Sequence, residues 1–194
     1  MNLFTFFYTF SLAWVFVYCE CPHIITKDEW DGLPPTRVKY LIRPVELVII
    51  QHAVSPTCMT DVRCEEVVRS MQNWHMEQLE YPDLAVSFVV GGNGNIYEGG
   101  GWLRAGNHTP GYDDRSIAIS FMGNFNVDEP TPESLTATQA LIECGVELGH
   151  LSSDYKLVGH KQLFATGSPG KKLFKEVKTW PHWTQDVSAI KNPK

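Results

Sequence analysis

The sequence has little positive charge and no cluster of it. Sixteen Lys and Arg residues stand against twenty-two Asp and Glu, giving a net charge of −6 and a pI near 5.6. Such a chain lacks the basic face that neutralises phosphates or anionic headgroups, which argues against nucleic acid and membrane surfaces as partners. It also lacks Cys-x-x-Cys spacing, which argues against thiolate metal or dithiol redox centres. After residue 17 no apolar run approaches the ~20 residues that a spanning helix needs. There is no internal repeat, linker or low-complexity tract. The hydrophobic fraction of 43% and charged fraction of 20% are ordinary, excluding collagen-like and wholly disordered chains. A length of 194 residues suits one domain.

What is present begins with a leader. Residues 2–17 (NLFTFFYTFSLAWVFV) carry no charge and are followed by Glu20, Cys21 and Pro22. The run reads as a secretory signal peptide over residues 1–19, with the domain spanning 20–194 and an extracellular location. Of the five cysteines, Cys19 falls in the leader, leaving Cys21, Cys58, Cys64 and Cys144. Three pairings are possible. The short segment CMTDVRC makes a Cys58–Cys64 bridge easy to close, which leaves Cys21 with Cys144.

Near-continuous apolar runs at 45–51 (VELVIIQ), 86–90 (VSFVV) and 117–122 (IAISFM) read as strands buried on both faces. GGNGN before IYE is a hairpin signal. Val67, Val68, Met71, Trp74 and His75 recur at helical spacing behind Thr60 or Asp61 as cap. Thr131-Pro132 opens a second helix, with Ala137, Ala140, Leu141, Cys144, Leu148 and Leu151 on one face. Leu173, Phe174, Val177 and Trp180 give a third, and the polar tail after Trp183 reads as loose. These elements predict a single α/β domain: a mixed, mostly parallel sheet flanked by about three α-helices.

His52 ends one strand and His160 ends another, KLVG, so they can share a crevice at the strand ends. The motifs VIIQHA, SMQNWHMEQLE, GGNGNIYEGGGW, GNHTPGYDD, IAISFMGNF, LVGHKQLFATGSPGKKLF and WPHW follow one another across residues 24–183. In this order the chain resembles the peptidoglycan recognition proteins, which are related to phage lysozyme-type amidases. The resemblance implies the amidase-type fold and the same two disulfide bridges.

Family members that cut peptidoglycan hold zinc with two histidines and a cysteine, assisted by a tyrosine and a threonine. His52 and His160 match the histidines and Thr166 the threonine. Ser168 stands at the cysteine and Val86 at the tyrosine. A neutral hydroxyl is a far poorer zinc ligand than a thiolate, and valine offers no group to an oxyanion. The chain is therefore expected to bind without cutting, with no catalytic residue and no cofactor. His52 and His160 would be vestigial metal positions.

The resemblance further implies a groove for the muramyl sugar and stem peptide. Its matching positions are His52, Ala53, His75, Leu79, Glu80, Tyr81, Val86, Gly100, Trp102, His108 and Asp113, with His160, Thr166 and Ser168 beside them. Members preferring diaminopimelate stem peptides tend to carry Gly-Trp at the Glu80-Tyr81 pair and Arg at the Gly100 position. Their absence favours the lysine type, with β-1,3-glucan as the competing ligand. Implied partners are extracellular recognition proteins and serine proteases of the Toll or prophenoloxidase cascades. A zinc-dependent N-acetylmuramoyl-L-alanine amidase and a scaffold without a glycan ligand are the rival readings. Asn107-His108-Thr109 is a glycosylation sequon followed by Pro110, expected to stay unmodified because a glycan there would crowd the groove.

Overall fold

A computed structural model describes residues 21–192. The expected leader and Cys19 lie outside these residues. Six strands form one sheet: β1 (Ile24–Ile25), β2 (Val45–His52), β3 (Phe88–Val90), β4 (Ile96–Glu98), β5 (Ile117–Phe121) and β6 (Leu151–Gly159). Their order is β1-β4-β3-β5-β2-β6, and every neighbouring pair is parallel except β3–β4. The exception is the hairpin that the GGNGN turn predicts. The mixed, mostly parallel α/β domain is as the apolar runs imply.

Strand alternation divides the core. Val48, Ile50, Ile117, Ile119 and Phe121 point to one face, where helix α2 (Pro132–Glu147) contributes Leu141 and Ile142 and helix α3 (Lys171–Val177) contributes Leu173 and Val177. Val89 and Ala118 point to the other, against Val67 and Val68 of helix α1 (Asp61–Asn73). Thr60 caps α1 by accepting the Arg63 N–H, and Thr131 caps α2 by accepting the Ser134 N–H ahead of Pro132. Both disulfides, Cys58–Cys64 and Cys21–Cys144, are formed.

The structure departs from the sequence reading in three places. Helix α2 stops at Glu147, and Leu151 opens β6 instead of extending the helix. Gly149, at φ +70°, takes the left-handed turn that ends it, and Leu148 is exposed. Helix α1 runs on into a π turn over Trp74–Gln78, and Trp74, at the junction, is 59% exposed although it keeps the helical phase of Val67. The tail is docked, not loose. Val187 and Ile190, three residues apart around a short helix α4 (Ser188–Lys191), pack on Leu47, Ile49, Tyr112 and Val158. Arg115 also donates to the Ile190 carbonyl at 3.1 Å.

Candidate functional site

A cavity of about 580 Å³ opens over the carboxyl end of β2. Gln51, His52 and Ala53 form its floor, α1 and the π turn one wall, and Leu79, Tyr81, Ala85, Val86, Asn107 and His108 the other. Ala53 is fixed by its N–H bond to the Phe121 carbonyl, 3.0 Å.

The imidazoles are held by the backbone. His52 Nδ1 accepts the Phe125 N–H at 3.2 Å, and His75 Nδ1 accepts the Ala85 N–H at 3.1 Å. Each neutral ring therefore carries its proton on Nε2. Burial lowers the pKa of both, opposed at His75 by the nearby Asp83 charge. The Tyr81 ring lies beside His75, with centroids 6.0 Å apart.

His108 is fixed through a relay. Gln51 Nε2 donates to Thr109 Oγ1 at 3.1 Å, and Thr109 Oγ1 lies 3.0 Å from His108 Nδ1. Thr109 Oγ1 thus accepts from Gln51 and shares a hydrogen bond with His108 Nδ1, which holds the ring in place. Asp113 shapes the loop: its Oδ1 accepts the His108 and Thr109 N–H groups, each at 2.7 Å. Burial, then the His160 charge, pushes the His108 pKa down to about 3. The 3.6 Å contact between His108 and Asp113 is thus no ion pair at neutral pH, because the ring is uncharged.

His160 begins the 3₁₀ turn after β6 and stacks on Phe164 (5.8 Å, 14°). Burial, then the His52 charge, brings its pKa to about 4. The Nε2 atoms of His108 and His160 are buried without a partner among the described residues. Ser168 is buried beneath His52, and its Oγ accepts the His52 N–H at 3.0 Å. Thr166 Oγ1 accepts the Ser168 N–H at 3.2 Å, which closes that loop.

This donor set does not fit a resident zinc ion. Three firm protein ligands are needed. Here the His52 Nδ1 lone pair is engaged and its Nε2 carries the proton, and the Ser168 hydroxyl is neutral and already accepts a hydrogen bond, so no anionic third ligand stands beside His52 and His160. Among the described residues no group of three or more His, Cys, Asp or Glu could hold a metal ion. Val86 lies in the cavity wall, 4% exposed and without a donor.

Several sequence-predicted positions do not line the cavity. Trp102 is buried on the α2 face, edge-on to Phe88 (4.6 Å) and stacked on His150 (5.2 Å). Glu80 is exposed at φ +55° between the lining residues Leu79 and Tyr81. Gly100 is buried, and a Cβ there would stand 2.9 Å from the Arg104 carbonyl oxygen. An arginine at 100 would therefore require the backbone to shift. Asp113, His160, Thr166 and Ser168 lie in the loops that support the lining.

Other lining residues escaped the sequence reading. Trp74 presents an open ring on the wall. Arg63 and Glu66 pair on the same wall at 2.7 Å, one helical turn apart. Their i, i+3 spacing is visible in sequence, but nothing there sets which face of α1 borders the cavity.

This geometry has close counterparts. A family model described as N-acetylmuramoyl-L-alanine amidase matches residues 42–171. A peptidoglycan recognition protein of Bombyx mori is 54% identical over 169 residues, covering 87% of this chain and 86% of that protein. The structure of Manduca sexta peptidoglycan recognition protein-1 superposes with a TM-score of 0.83 at 49% identity, covering 87% of this chain and 96% of that one. Peptidoglycan recognition protein-LE in complex with tracheal cytotoxin, a monomeric diaminopimelic acid-type peptidoglycan, gives 0.82 at 40% identity, covering 83% and 95%. With the amidase domain matched through the very loops that carry His52 and His160, and identity sustained over most of its length, the chain belongs to the peptidoglycan recognition proteins.

Proposed function

We propose that the protein is a secreted innate-immune receptor that binds bacterial peptidoglycan in the 580 Å³ groove and does not cleave it. One observation carries the reading: where a hydrolase of this fold needs an anionic zinc ligand, Ser168 offers a neutral hydroxyl already bonded to the His52 N–H. The neutral imidazoles then act as hydrogen-bond donors. Nε2–H groups of His52 and His75 suit the carbonyls and hydroxyls of a muramyl peptide. Trp74 and Tyr81 add ring surface for a sugar.

The lysine-type stem peptide is the proposed preference. Gly100 supplies no cation for a second carboxylate, and the charge of Glu80 at the rim opposes one. Arg63 is engaged with Glu66. The relative solved with a diaminopimelic acid-type ligand marks that type as the natural comparison. Secretion accords with the apolar leader and with two disulfide bridges, which persist in oxidising compartments. Triggering of an extracellular protease cascade, to Toll or prophenoloxidase, completes the proposal.

The test is co-sedimentation with insoluble lysine-type peptidoglycan, diaminopimelate-type peptidoglycan and curdlan, with metal analysis and an assay for released stem peptides. Retention on the lysine-type wall with no stoichiometric zinc and no soluble peptide is the predicted result. Stronger retention on curdlan would replace the ligand, and released stem peptides would replace the receptor by an amidase.

A further inference from the structure

A second cavity, about 460 Å³, lies between α2, β6 and the segment that follows α3. It shares no lining residue with the groove. Ile142, Val146 and Leu157 give it an apolar floor, and Glu143 and Glu147 stand over that floor. The two carboxylates are four residues apart on one helix face, where like charges repel. Neither is in an ion pair with a Lys, Arg or His of the described residues. The chain thus sets two uncompensated negative charges at the mouth of an apolar hollow.

Tyr155 points to a ligand independently of the carboxylates. It lines the cavity and is only 6% exposed, and its hydroxyl, hydrogen-bonded to no described residue, stays open to the solvent of the cavity. Burial and the Glu143 charge raise its pKa to about 12, so it stays a neutral hydroxyl. Its ring is stacked on His182, with centroids 4.3 Å apart. His182 itself sits at φ +61°, a strained position for a residue with a side chain. Trp180, 7% exposed, completes the wall and shows no open face on which a sugar could stack.

We propose that this cavity takes a lysine or arginine side chain presented by a basic segment of a partner protein. The alkyl stem covers Ile142 and Val146. The cationic head donates to Glu143, Glu147 and Tyr155 Oη and lies against the aromatic wall. Because this cavity and the groove share no residue, a partner can dock while the groove is filled. The proposal does not depend on what the groove binds.

The probe is the capped peptide acetyl-Lys-Lys-Lys-amide, titrated into the protein while the tryptophan indole N–H resonances are followed by NMR. The signal of Trp180 should shift saturably and that of Trp74, beside Glu66 in the groove, should not. Affinity should fall about tenfold in the double variant Glu143→Gln/Glu147→Gln, whose exposed positions leave the fold intact. It should fall about threefold in Tyr155→Phe. Acetyl-Gln-Gln-Gln-amide and chitotetraose should leave Trp180 unmoved. Absence of a saturable shift up to about 10 mM, an undiminished shift in the double variant, or a stronger response to chitotetraose would each overturn the assignment.

Discussion

Trp74 and Trp102 belong to opposite sides of the same sheet and differ in nearly every physical respect. Trp102 lies in the cluster formed with α2, between Phe88 and His150, where even the absent Cβ of Gly145 leaves its ring room (a Cβ there would stand 2.5 Å away). Trp74 follows α1, stands 59% exposed and borders a cavity lined by neutral imidazoles. Around Trp102 the α2 face is packed to exclude water; around Trp74 the α1 face opens into the groove and is supplied with hydrogen-bond donors. An exposed tryptophan beside such donors marks the side of the molecule that meets a ligand, whereas the buried one serves packing.

Substitutions break this contrast most sharply at the filled side. Trp102→Ala should lower the stability of folding by about 3–5 kcal/mol, since it removes a ring that its neighbours cannot replace. Thermal or denaturant unfolding measures it. Trp74→Ala should instead leave the melting temperature within experimental error while weakening retention on peptidoglycan about tenfold, or ~1.4 kcal/mol. If its melting temperature fell as far as that of the Trp102 variant, the division between the two faces would fail.

Acid should act on the open side. Unfolded histidine takes a proton near its usual value of 6.5, whereas folded His160 resists until about 4 and His108 until about 3. Between these limits the unfolded chain holds more protons, so stability is full above pH 6.5 and declines as pH falls. The slope is at most about 1.4 kcal/mol per pH unit for each ring. Melting curves from pH 7 to 4 check the sign, and His108→Gln should flatten the decline. The smallest effect is expected from Ser168→Cys. While Val86 remains, this variant should release no stem peptides from peptidoglycan; appreciable hydrolysis would show that the tyrosine position matters less than its chemistry suggests.

The filled side of the molecule was the more legible in sequence. Continuous apolar runs give β2 and β5 directly, and Thr131-Pro132 marks the start of α2 because capping is a local matter. The apolar spacing through Leu148 and Leu151 misleads, since the chain reverses at Gly149 while the pattern continues by coincidence. The open side depends on longer-range facts. His52 and His160 are readable as strand-end residues, and both sit where that reading places them. Trp74 is not, because the helical phase it shares with Val67 predicts burial, and no local signal tells that the end of α1 stands on the cavity wall. The docked tail is missed for a related reason: Val187 and Ile190 make too short a pattern to separate from chance, and only the hollow around Tyr112 gives them a place.

The Cys21–Cys144 bridge joins residues 123 positions apart and so encloses α1, the hairpin and the His108 loop within one covalent ring. A protease that nicks any exposed loop inside that ring opens the circle without releasing a piece. Such a clipped molecule would migrate as a single band on a gel run without reductant and separate into fragments only once thiol is added.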